Sequence, residues 1–229
     1  MTVHPHTFRR LPYDPVKDLE PVRSLLISNF FVAVSKDSPF KTIDDIVRAA
    51  SIKPEGVTYG SYFIGSPPHL GGLKLESMTK TRMLHVPYKD TVQLYTAVAN
   101  GEVDWALGSI ASAGPLEKSG KLRFIAIAAP KRFALVPNTP STGESNFAKG
   151  FDVTGSTGIF APKGTPRDIK EKIAQDISEI LASPQMIERF KNFGYEDQKL
   201  STDVYAKQIE KESAEWRKVV QAAGLKLDE

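Results

Sequence analysis

Ser61, Ser66 and His69, side chains able to do chemistry, fall together in one stretch, VTYGSYFIGSPPHLGGL at 57–73. Val57 to Gly60 has the β-branched and aromatic character of a short strand, Gly60 to Ser66 is a turn, and Pro67-Pro68 suits a first helical turn. Strand, loop and helix in that order leave free N–H groups at the helix start, where an anion is favoured. Ser66 is placed to cap the helix by accepting one of them. A phosphate-binding P-loop needs a Lys after its second glycine, and here Gly65 is followed by Ser66-Pro67-Pro68, so a nucleotide is not expected. A neutral nest of N–H and hydroxyl donors remains, with Ser61, Gly65 and Ser66 in it, suited to a carboxylate. The same glycines also suit an ordinary βα turn.

His69 invites a catalytic or metal-binding reading. A general base needs an activated partner and a metal needs further ligands. None of His4, His6 and His85 stands at i+4 from it, and no carboxylate pair lies nearby in sequence. The expectation is a histidine that braces the loop, with no catalytic residue, no metal and no cofactor.

The elements that must position these residues follow from periodicity. Val22 to Ser35 is strand-like. Thr42-Ile43-Asp44-Asp45 is a capping box, followed by a helix with Ile43, Ile46, Val47 and Ala50 inward to about Ser51. Gly71 and Gly72 weaken the helix after the loop, which implies close approach of a backbone or ligand, or tight packing. Met83 to Val86 is a strand, Pro87-Tyr88-Lys89-Asp90 a turn, and Val92, Tyr95, Val98 and Ala99 the inner face of a helix ended by Gly101. Tyr88 is a second candidate contact.

Val103 to Leu107 is a third strand, Gly108 to Gly114 its exit loop, and Leu122 to Ala128 a fourth strand. Strands alternating with helices predict an α/β fold with mostly parallel sheets, in which ligands gather above the carboxyl ends, here near Ser61, Ser109 and the Gly108 backbone. Pro130 to Gly150 reads as a long connection and Phe151 to Ala161 as extended chain, where Ser156 and Thr157 are further candidate donors. Thr165-Pro166-Arg167-Asp168 reads as a second capping box, with Ile169, Ile173, Ile177, Ile180 and Leu181 as a helical stripe. A helix from Ser183-Pro184 to Gly194 and a last one from about Ser201 to Gly224 complete the chain.

At 229 residues and 41% hydrophobic content the chain can bury a substantial core as one domain or two lobes. The formal net charge of +3, with signs alternating along the helices, shows no basic stripe for nucleic acid. With no cysteine, disulfides and thiolate metal sites are excluded. No apolar run reaches the roughly 20 residues of a spanning helix, and 1–10 has no hydrophobic signal core, so as written the chain would stay in the cytoplasm.

The segments LPYDPVKDLEPV (11–22), YGSYFIGSPPHLGG (59–72), HVPYKD (85–90), NGEVDWAL (100–107), GKLRFIAI (120–127), GIFAPKGTP (158–166) and EWRKVVQAAGLKLD (215–228) resemble, in order and spacing, the substrate-binding proteins of tripartite tricarboxylate transporters, the TctC or Bug family. The resemblance implies a periplasmic binding protein of type II-like fold, two lobes joined by two crossing strands. Lobe one would be 1–33 with 159–229, lacking the signal peptide and first βαβ portion that precede LPYDP in the family, and lobe two 34–158. It implies a monomer that captures a small carboxylate in the cleft between lobes and passes it to membrane permease subunits, without chemistry and without nucleic acid. Ser61, Gly65, Ser66, His69, Tyr88, Ser109, Ser156 and Thr157 form the expected ligand-binding set. Asp90 stands where the family has Gly, Ser109 where many members are acidic, and Ser156 where Trp is common.

Two other readings stay open. One is a cytosolic hydrolase or transferase using His69 with a loop serine, although no GxSxG surrounds either serine. The other is a truncated, non-functional paralogue in which the Ile169 to Leu181 stripe lies uncovered.

Overall fold

The computed structural model describes residues 1–227; Asp228, the last residue of the matched segment at 215–228, lies outside the described residues. In chain order the elements are α1 (His4–Thr7), β1 (Leu19–Asn29), β2 (Phe31–Ser35), α2 (Ile43–Ile52), β3 (Thr58–Ser61), α3 (Pro67–Thr79), β4 (Leu84–Pro87), α4 (Thr91–Asn100), β5 (Trp105–Gly108), α5 (Ile110–Lys118), β6 (Leu122–Ile127), a 3-10 turn at Thr142–Glu144, β7 (Thr154–Pro162), α6 (Arg167–Leu181), α7 (Pro184–Phe193), β8 (Tyr195–Glu196) and α8 (Thr202–Ala222). No helix among the described residues is long and apolar enough to cross a membrane. The chain divides into two units, Met1–Ser28 with Ser156–Glu229, and Asn29–Gly155.

The unit Asn29–Gly155 is built on a five-stranded sheet in the order β4-β3-β5-β2-β6. β3 pairs in parallel with β4 and β5, and β2 is antiparallel to both β5 and β6, so four strands share one direction and β2 opposes them. Helical crossovers between β3, β4, β5 and β6 impose the shared direction; β2 lies between two strands that follow it much later in sequence, and no crossover fixes it to either. Its core holds Trp105, Tyr59, Tyr95, Leu94, Leu70, Leu75 and Leu107, all fully buried. α2 starts on the expected capping box, Thr42 Oγ1 accepting the Asp45 N–H while Asp45 accepts the Thr42 N–H, and buries Ile43, Ile46, Val47 and Ala50. Asp44, also buried, accepts from Ser145 Oγ and the Asn146 N–H, which pins the long connection after β6 to α2.

The expected exit loop at 108–114 is instead the start of α5, a helix that contains Pro115. Ser109 caps it by accepting the Ser112 N–H, and the Ser112 hydroxyl closes the box back onto the Ser109 N–H. On α4, Leu94 is buried where Val92 was expected, and Val92 faces solvent.

The unit Met1–Ser28 with Ser156–Glu229 has a three-stranded sheet, β7-β1-β8. β8 runs antiparallel to β1, which departs from the mostly parallel sheet expected for this lobe. Arg23 on β1 is buried and donates to both oxygens of Asp197 (3.0 and 3.1 Å), to Ser178 Oγ on α6 and to the Ser24 carbonyl. The expected second capping box is not formed: Pro166 occupies the N-cap of α6, and Thr165 donates back to the Pro162 carbonyl in a turn through Gly164. The apolar stripe of α6 is present but only partly covered: Ile169, Ile173 and Ile180 are exposed, Ile177 and Leu181 are half-buried, and no residue of α6 or α7 is fully buried.

Candidate functional site

β3 ends at Ser61, the chain turns through Tyr62–Gly65, and α3 begins at Pro67, as the residue types predict. Gly65 sits at φ +86°, in the left-handed region that a side chain disfavours. Phe63 and Ile64 stand at the tip, 54% and 44% exposed, while Tyr62 packs against the α4 side of the core, its phenol pushed up to about 12 by burial. The bend is open to solvent at its tip and solid underneath.

Its donors differ from the expected set. Pro67 and Pro68 carry no N–H, the Leu70 N–H is taken by the Ser66 carbonyl, and Ser66 Oγ makes no cap. Ser66 Oγ is buried with no partner among the described residues. The start of α3 is therefore depleted of N–H groups by the prolines that shape it. Most uncommitted donors sit one step earlier: the N–H groups of Tyr62, Phe63 and Ile64, like that of His69 in the first turn of α3, donate to nothing among the described residues. The Gly65 N–H goes to His69 Nδ1 at 2.9 Å and the Ser66 N–H to the Phe63 carbonyl.

Ser61 and Ser66 are fully buried, so both hydroxyls lie under the loop rather than on it. Ser61 Oγ donates to the Phe63 carbonyl (3.0 Å) and contacts His85 Nε2 (2.8 Å). His69, 5% exposed, stacks on His85 at 4.0 Å between centroids, and the column continues through Tyr59 at 5.0 Å and Trp105 at a further 5.5 Å. Burial pushes both imidazoles down to about 4, with the neighbouring His85 adding to the effect on His69, so both are neutral at pH 7.

Gly71 and Gly72 resolve as packing positions. A Cβ at Gly72 would stand 2.1 Å from the Tyr59 ring and one at Gly71 2.3 Å from Leu107 Cδ1, so α3 lies close on β3 and β5 only because both are glycine. Asp90 adopts φ −153°, needs no glycine, and caps α4 by accepting the Gln93 N–H. Tyr88 is half-buried beside the loop, its N–H donating to the Ser61 carbonyl at 2.7 Å. Ser109 is spent on its cap and on Ser112, which reaches Tyr95 Oη and through it the Leu107 carbonyl. Ser156 and Thr157 lie in the other unit. Ser156 donates to Glu212 on α8, and Thr157 is exposed.

Sequence reasoning missed His85. It is placed by the pairing of β3 with β4, whose parallel register sets Tyr59 against His85 and Ser61 against Pro87. The chemistry open to the site is narrow. Ser61 touches a histidine, yet its proton is committed to a carbonyl and its oxygen is shut from solvent, which removes what a nucleophile requires. Among the described residues no group of three His, Cys, Asp or Glu could hold a metal. What the loop offers a ligand is uncharged N–H donors with an apolar tip.

Residues 1–225 match the tripartite tricarboxylate transporter family receptor, TctC. A UPF0065 protein of Bordetella bronchiseptica is 29% identical over 226 residues, 99% of this chain and 66% of its own length. The chain spans about two thirds of the length of this relative, and 63% of that of a Pseudomonas UPF0065 protein from the tcbD-tcbE intergenic region, to which it is 27% identical. Among solved structures, R. palustris Rpa4515 with adipate superposes with a TM-score of 0.87 at 26% identity, covering 99% of this chain and 76% of that one. MatC from Rhodopseudomonas palustris with bound malate gives 0.82 at 27%, covering 95% and 74%.

Proposed function

Because the chain belongs to the tripartite tricarboxylate transporter receptor family, we propose that it is a periplasmic solute receptor, which captures a small carboxylate over the 61–66 loop and hands it to the membrane permease subunits of such a transporter. The observation that carries this reading is the loop, solvent-exposed at Phe63 and Ile64, with the N–H groups of residues 62–64 uncommitted and the turn braced from below by buried side chains. Uncharged N–H donors hold an anion without the tight grip of a guanidinium, which suits a ligand that must be released.

Within the expected set, the contacts come from the backbone around Gly65, and Ser61, Ser66 and His69 act from beneath. Tyr88 flanks the loop. Adipate and malate, the acids bound by two similar proteins, indicate the class: an acyclic dicarboxylate of modest size. No bond is made or broken in the ligand.

Isothermal calorimetry of the chain with adipate, malate, citrate and benzoate tests the proposal. Saturable binding of at least one acid is expected, with a matching rise in thermal midpoint; an acid at 100 times its Kd adds about 2.7 kcal/mol of stability. A folded chain that gives neither heat nor thermal shift with any of the four overturns it.

A further inference from the structure

Under the loop, two imidazoles from different elements hold its two ends, and their hydrogen bonds fix their protons. His69 Nδ1 accepts the Gly65 N–H at 2.9 Å, so the ring proton of neutral His69 is on Nε2. The single hydroxyl proton of Ser61 goes to the Phe63 carbonyl at 3.0 Å, so Ser61 Oγ accepts from His85, whose proton is therefore also on Nε2. His85 thus acts through Ser61 on the carbonyl of Phe63, and His69 acts on the amide of Gly65. Between those two fixed points lies the N–H group of Ile64, with those of Tyr62 and Phe63 just ahead.

We propose that His85 and His69 are positioning residues for anion capture: as a neutral stacked pair they hold residues 61–65 in the shape that keeps the N–H groups of residues 62–64 uncommitted, without touching the ligand. The inference rests on the function proposed above and names what sets the site's geometry. Simple packing does not account for the arrangement. The stack with Tyr59 would accept a phenyl ring at either position, whereas the acceptor at His69 Nδ1 and the donor at His85 Nε2 each serve one loop atom.

The pair has to stay neutral to work. A second proton on His69 would land on Nδ1 and turn the acceptor into a donor facing the Gly65 N–H, and protonating both rings would set two cations 4.0 Å apart. The groups facing them are uncharged: Ser61 and Tyr59 from β3 and Gly65 from the loop. The carboxylate of Glu76 on α3 lies beyond the ring of Tyr59, at its hydroxyl, accepting from the Met83 N–H and flanked by Arg82 and Glu55. A positive imidazole beside an anion site ordinarily strengthens binding; here it dismantles the loop instead.

Ring-nitrogen NMR of the full chain without ligand, titrated from pH 8 downward, reads the geometry directly. Both histidines are expected as Nε2–H tautomers at pH 7, with the Gly65 amide resonance moving as His69 titrates well below the ordinary histidine range. Calorimetry with adipate then compares the wild type with His85→Phe and His85→Gln. His85→Phe keeps the stack and removes the donor, and about tenfold weaker binding is expected, in line with the loss of one hydrogen bond; His85→Gln restores a donor and should recover part of it. An Nδ1–H tautomer on His69, or equal adipate affinity in wild type and a folded His85→Phe, overturns the positioning role. If His85→Phe fails to fold, the tautomers and His85→Gln decide it. A wild-type chain that takes up no carboxylate overturns the proposed function itself, and the role in capture with it, whatever the tautomers.

Discussion

α2 and α6 carry the same kind of stripe and meet opposite fates. Ile43, Ile46, Val47 and Ala50 recur at helical spacing on α2, and all are buried within the unit that holds the five-stranded sheet. Ile169, Ile173, Ile177 and Ile180 recur just as regularly on α6, yet none is fully buried and Ile180 is 60% exposed. α7 repeats the pattern, with Ile187 at 59%. Periodicity states which face of a helix is apolar; whether that face is covered depends on whether another element lies on it. The unit with five strands supplies that cover to α2, and the unit with three supplies only part of it to α6 and α7.

The sharpest way to break this comparison is to cut the core of the larger unit. Trp105→Ala should cost about 3–5 kcal/mol in denaturant unfolding, because the indole is fully buried between Tyr59 and the rest of the sheet. A loss below about 1 kcal/mol would mean that the core is far looser than its burial implies.

Gly72→Ala comes next. The added methyl would collide with the Tyr59 ring, and about 1–3 kcal/mol is expected, together with weaker carboxylate binding as α3 lifts from β3 and tilts the stacked rings. Unchanged stability and affinity would show that α3 can shift freely.

A pH profile sharpens the contrast further. His69, buried, and His85, half-buried, have folded-state pKa values near 4, below the unfolded value of about 6.5, so the unfolded chain takes up protons first as pH falls. Their contribution is complete above about pH 6.5 and is lost progressively down to about pH 4. Comparing wild type with a His69→Gln, His85→Gln double variant should show a flatter profile for the variant across that window. Identical profiles would mean that the rings titrate alike in both states.

The smallest effect belongs to the most exposed residue of the α6 stripe. Ile180→Ala should change unfolding free energy by no more than about 0.5 kcal/mol, while lowering the fluorescence of a dye that binds exposed apolar surface. A loss of several kcal/mol would place Ile180 in a core and end the comparison.

Much of this was legible because it is local. The strand, loop and helix around Ser61 to Pro67, the capping box at Thr42 to Asp45 and the left-handed stop at Gly101 are each written in adjacent residues. α5 was missed because Gly114 and Pro115 read as breakers, and its cap uses Ser112 where a Glu or Gln is the usual signal. The box at Thr165 failed for a converse reason: the motif is present, but Thr165 is drawn into the turn that starts at Pro162. In the site, residue types named Ser61 and Ser66 as hydroxyl donors, and the structure places both hydroxyls beneath the loop. Two prolines remove N–H groups from the helix start, and the support comes from His85, which only the β3–β4 register brings beneath the loop. No local pattern encodes a contact between strands.

The reversed strand β2 has a consequence for how the chain is made. Phe31 to Val34 is wholly buried, and its partners are β5 and β6, which leave the ribosome long after it. β3 and β4 can pair as soon as they emerge, but β2 must wait, an apolar ribbon with both edges open until β5 arrives and with one edge open until Ile127 closes the sheet. Any ribosomal pause between β2 and β6 therefore lengthens the interval in which nascent chains can stick to one another, and holdase chaperones would be needed most in that interval.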